Sequence, residues 1–141
     1  MKTSHKQIKS LLSIVATLLV AVFLWSCGDG QRQAQERKLK EVKEDTELQV
    51  RQLRNDIQER IDYVEEQIEE ASNELEMELK EARAELKKQL ELVDKETQNV
   101  REATLENWDN VVRGVQESYR EARKHTNETS KKVRELLDKE D

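Results

Sequence analysis

Apolar residues fall into two unlike patterns along this chain. From Leu11 to Leu24 they form a nearly continuous run of 14 residues. From Leu39 onward they stand three or four positions apart, separated by charge. The series begins Leu39, Val42, Val50, Leu53, Ile57, Ile61, Val64, Ile68 and continues to Leu137. Thr46, Thr97, Thr104, Thr126 and Thr129 fill steps that lack an apolar residue. Such spacing puts one side-chain stripe on one face of a helix. The steps 3-4-4, 3-4-4, 3-4 recur every 29 residues, eight steps at a time, a mean period of 3.625. That lies beside the 3.6 of a straight α-helix and predicts long helices with little supercoiling.

The expected fold is therefore all-α: either one long amphipathic helix or a coiled-coil-like helical hairpin over residues 39–138. Unbroken, residues 39–137 would extend roughly 150 Å. The stripe is weakest at Asp94-Lys95-Glu96-Thr97-Gln98-Asn99, polar throughout. A hinge at 94–99 would let residues 100–138 return along the first helix. Gly114 is a second weak point, costing about 1 kcal/mol relative to alanine in a helix interior. A narrow stripe on a lone helix stays wet, so it needs a second surface. The candidates are a second copy in a homo-oligomer, a helical partner protein, the chain's own return arm, or lipid.

Composition agrees with a helical chain: 40% of residues are charged, and there is no proline. The net charge is −6, and loss of Lys2, Lys6 and Lys9 with the leader would take it to −9. That balance argues against nucleic acid, whose phosphates need clustered Lys and Arg. Eleven acids between Glu59 and Glu85 face only Arg60, Lys80 and Arg83, which makes this the most acidic stretch. It reads as a solvated face, or more sharply as a docking strip for a basic partner.

The first pattern belongs to an export signal. Three lysines precede the Leu11–Leu24 run, and Ser26 is a small residue directly before Cys27, the chain's one cysteine. A basic start, an apolar run and a small-residue cleavage site define a secretory signal. Leu24-Trp25-Ser26-Cys27 resembles the lipobox of bacterial lipoproteins, although Trp25 stands where a small residue is usual. The resemblance implies removal of residues 1–26 between Ser26 and Cys27, with lipidation of Cys27. More than one acyl chain gives stable anchoring. Residues 27–38 then read as a lipidated, flexible tether. Gly28 after the cysteine, in place of the Asp that retains enteric lipoproteins at the inner membrane, is compatible with an outer-membrane protein facing the periplasm. The alternative is an uncleaved inner-membrane signal anchor, for which Leu11–Cys27 just reaches the 17-residue lower limit.

Candidates for chemistry are few. His125 has no second His or Cys beside it in the mature chain, so no transition-metal site is expected. Ser72, Ser118 and Ser130 lack the glycine-rich elbow of a nucleophile, and no phosphate-binding loop occurs. Asn127-Glu128-Thr129 matches a glycosylation triplet, an accidental match in a bacterial lipoprotein. No enzyme activity, cofactor, metal or small-molecule substrate is expected. The most distinctive segment, residues 105–122, places Trp108, Val111, Val115 and Tyr119 on one face, and Gly114 would allow close approach of another backbone. It reads either as a helix–helix packing patch or as an anchor for a specific partner.

Over roughly residues 60–138 the chain resembles a bacterial family of stress-response coiled-coil proteins with no established activity. That family has Glu/Lys/Ala/Leu helices followed by a helix of the form Trp…Val…Gly-Val…Tyr/Leu…Ala. The stripe is also similar to exchangeable apolipoprotein helices, which have a wider apolar face and prolines between units. By plan the chain resembles the murein lipoprotein, but it ends Lys139-Glu140-Asp141 where that family ends in a crosslinked lysine. Together these imply a lipid-anchored envelope protein acting as a spacer or interaction rod; the alternative is an amphipathic lipid-binding or stress-protective helix.

Overall fold

The computed structural model describes residues 29–139. All of the regular structure among them is helical: α1 (Asp29–Glu70), α2 (Asn73–Glu102) and α3 (Trp108–Leu137). The chain divides at Arg37/Lys38 into two units. Of the first, the described part is the opening of α1. It is helical and largely exposed, with Arg32 and Glu36 paired at 3.7 Å. The described part of the 27–38 segment, expected as a flexible tether, is thus helical from Asp29. Gln31-Arg32-Gln33-Ala34-Gln35-Glu36-Arg37-Lys38 are good helix formers, and Gly30 lies in the first turn, where it interrupts little.

In the second unit, Lys38–Asp141, the helices run up, down and up. Ion pairs show α1 and α2 antiparallel: Arg54 Nε to Asp94 Oδ1 at 2.7 Å, and Lys87 Nζ to Glu65 Oε1 at 3.2 Å. In the same sense α3 returns along α2. Ser118 Oγ donates to Glu96 Oε1 at 2.9 Å, and Lys132 Nζ lies 3.4 Å from Glu81 Oε2. Arg60 Nη1 donates to Ser130 Oγ at 2.6 Å, which ties α3 to α1 as well. The stripe therefore finds its second surface in the chain's own return arms.

The reversals come at 71–72 and 103–107, not at 94–99, which is helical throughout. Polarity alone does not stop a helix. Thr97 Oγ1 donates back to the Val93 carbonyl, and Asn99 Nδ2 to Glu96. At the first reversal Ser72 turns to an extended conformation (φ −63°, ψ 159°), and its carbonyl accepts the first bond of α2 from the Glu76 N–H. At the second, Asn107 Oδ1 accepts from the Thr104 N–H, and Lys43 Nζ donates to the Arg101 and Ala103 carbonyls, 2.8 Å each. That lysine, on α1, satisfies carbonyl groups that the end of α2 would otherwise leave open.

On α2 burial follows sevens: Leu75, Ala82 and Gln89, with Leu79, Leu86, Val93 and Val100. α1 keeps the steps of the stripe, burying Val50, Leu53, Ile57, Ile61 and Val64, and the buried residues of α3, Trp108, Val115, Ala122, Thr126, Thr129 and Val133, all lie on the stripe too. The departure is on α2, where Gln89 is buried and the stripe residues Leu90 and Thr97 are half-buried.

Gly114 is an exposed residue within α3, and a Cβ built on it meets no atom within 4 Å. It does not mark a close backbone approach. Gly114→Ala is expected to stabilise the fold by about 0.5–1 kcal/mol through the entropy of the unfolded chain. A thermal melt should show this as an upward shift in Tm.

Candidate functional site

No pocket of catalytic form is built by the described residues. A groove between α1 and α2, open to solvent, is lined by Arg51, Arg54, Asn55, Asp94, Thr97, Gln98, Arg101 and Glu102. Its guanidinium groups are committed within the chain. Arg54 pairs with Asp94, Arg101 Nε donates to Glu47 Oε1 at 2.8 Å, and Arg51 Nη2 donates to the same oxygen at 2.7 Å. One carboxylate serving two arginines is a structural clamp between α1 and the last turn of α2.

The Arg101 hydrogen bond holds the Glu47 carboxyl below its ordinary value of 4.5; partial burial opposes this and Arg51 adds to it. A depressed carboxyl favours folding above its unfolded pKa, and the contribution is lost as pH falls through the folded value. Glu47→Gln should therefore lower Tm at pH 7, and the gap from wild type should close below pH 4.5. Melts of both proteins between pH 7 and pH 3 measure it.

The aromatic patch is turned inward. Trp108 and Val115 are buried, 5% and 2% exposed, and Val111 and Tyr119 are half-buried beside them. These four residues form part of the packing of α3 in the core and do not offer the free anchor for a partner that one reading of the sequence gave them. His125 is exposed, with Nδ1 3.6 Å from Glu128 Oε2 one helical turn on. Among the described residues no cluster of three or more His, Cys, Asp or Glu could hold a metal. Asn127 is exposed on α3, but Thr129 of the same triplet is buried.

The acidic stretch straddles the first reversal, so its carboxylates come from two antiparallel helices. Part of its charge is met across the helices by its own Arg83 and by two bases from outside the stretch: Arg83 and Lys87 approach Glu65, and Lys132 approaches Glu81. Within single helices, Glu47–Arg51, Asp56–Arg60 and Glu76–Lys80 pair one turn apart. Glu66, Glu69, Glu70, Glu74 and Glu78 remain exposed at this end.

Sequence reasoning missed Lys43 and Gln89. Lys43 is one lysine among many until the fold brings the end of α2 to it. Gln89 is buried at 4% with its amide donating to Glu85 Oε1 at 2.8 Å, in a place where the stripe assigned Leu90. Ser26 and Cys27, the residues expected to mark cleavage and lipidation, lie outside the described residues, as does the Leu11–Leu24 run. No described helix is long and apolar enough to cross a membrane.

The chain matches no family model, no curated protein and no solved structure.

Proposed function

We propose that this chain is a lipid-anchored, non-enzymatic helical protein of the bacterial cell envelope, held at a membrane by acylated Cys27 and serving as a spacer or protein-interaction element. The observation that carries the reading is Leu24-Trp25-Ser26-Cys27 behind a basic start and an apolar run. That order supplies an export signal and an acylation site together. Gly28 is compatible with an outer-membrane position facing the periplasm. The helical unit supports an interaction or spacing role in a specific way. Its apolar faces largely close on each other, and apart from Leu48, Tyr63 and Met77 what it presents outward is mostly polar or charged, most strongly at the acidic end around residues 66–78. A surface of that kind suits a basic protein partner better than an anionic bilayer, which it would repel.

Metabolic labelling with radioactive palmitate tests the anchor. The full chain should take up label and sediment with membranes. Cys27→Ser should lose the label while keeping the same helical circular dichroism. Unlabelled wild-type protein, recovered from the cytosol with its initiator methionine, would remove the basis of the reading. Adding liposomes to the labelled protein addresses the lipid-binding alternative, which requires the helices to leave one another and gain contact with lipid.

A further inference from the structure

We infer that the 71–72 reversal is a hinge that opens, so that α1 and α2 join into one helix and α1 of each chain packs on the α2–α3 hairpin of a second copy. This goes beyond the proposed function and does not depend on the lipid anchor.

Three observations carry it. First, the connection is two residues long, Ala71 and Ser72, with neither glycine nor proline. Ser72 already has φ −63°, a helical value, so at that residue the change is in ψ, from 159° to about −42°. Second, the apolar steps run through the turn without a break: Val64, Ile68, Ala71, Leu75 and Leu79 stand 4, 3, 4 and 4 apart. A turn fixed by the sequence would interrupt the stripe or carry a breaker. The second reversal does interrupt it, since its stripe position, Thr104, is polar and exposed. Third, the last turn of α1 contains Glu69 and Glu70 and no basic residue. Those acids sit unfavourably at a helix carboxyl end, and continuing the helix removes that end.

Opening loses no core contact. Val50, Leu53, Ile57 and Ile61 would meet the same α2 and α3 surfaces, supplied by the partner, which is the condition for exchange of an identical element at low cost. Very short hinges favour such exchange. What holds the closed form is charge. In a continuous helix Glu66, Glu70, Glu74 and Glu78 line up at i,i+4, where like charges repel, and the second copy brings the same line near the two-fold axis.

The test reads distance within one chain. The full chain, in mild detergent and with Cys27→Ser, is spin-labelled at Asn55→Cys and Lys95→Cys, two exposed positions beside the Arg54–Asp94 pair, and diluted into unlabelled chain. In the closed form these sites lie on adjacent helices. In a joined helix, 40 residues separate them by about 60 Å. A component near 60 Å should appear as total protein concentration rises, and should grow in Glu70→Gln/Glu74→Gln and in Ser72→Ala/Asn73→Ala. Asn73→Pro should abolish it and keep the short distance. Proline suits the first position of α2, and Ser72 before it is already extended, but proline in the interior of a joined helix clashes and removes a hydrogen bond. A short distance alone at every concentration, in the wild type and in the double-alanine variant, overturns the inference. So does a long component that Asn73→Pro leaves undiminished.

Discussion

Trp108→Ala should cost about 3–5 kcal/mol of folding stability, the range for removing a large buried aromatic side chain. Trp108 is 5% exposed at the first position of α3, directly after the 103–107 reversal. Ala103, 6% exposed, is buried in the same connection. The indole thus holds down the one reversal that has five residues of freedom. Domains of this size are stable by about 5–15 kcal/mol in total, so the variant should unfold at a much lower urea concentration. Tyr119→Ala, at a half-buried site, should cost less. The comparison separates two roles for the aromatic segment. A docking anchor would leave the urea midpoint unchanged and alter only binding; a core residue moves the midpoint. With the proposed leader removed, Trp108 would be the one tryptophan left, and its fluorescence would report the same transition.

The all-α fold was legible because a one-face stripe on a proline-free chain has few other solutions. The number of helices was not. The reversal at 71–72 has no glycine, no proline and no break in the apolar steps, and its one local signal is Ser72, a residue type favoured at the head of a helix but common elsewhere. What favours the turn is non-local: Arg54 meeting Asp94, Lys87 meeting Glu65, and Lys43 reaching the end of α2. Asp94–Asn99 misled for the opposite reason. Its polarity is conspicuous in sequence, but Asp94 bonds to Arg54, Glu96 to Ser118 and Thr97 to its own helix, so the polar groups face partners that only the folded chain provides. The proposed anchor segment is different in kind. Its signal is entirely local, and Cys27 could be singled out without any knowledge of what the remaining helices pack against.

Leu86→Ala should destabilise the fold by about 2–5 kcal/mol, whereas Leu90→Ala, one helical turn away, should cost about 1 kcal/mol. The full stripe treats these two leucines alike. The fold does not: Leu86 is 0% exposed on the heptad that also holds Leu79, Val93 and Val100, and Leu90 is half-buried at the flank. Gln89 occupies the neighbouring heptad position and keeps its amide bonded to Glu85. A helix packed between two antiparallel neighbours buries the positions that return every seven residues and leaves those between partly wet. Urea titration of the two alanine variants decides between the registers. A large loss at Leu86 with a small one at Leu90 is the heptad result. Equal losses would mean that the buried face follows the 3.625 period instead, and would place the α2 seam about one residue from where the structure has it.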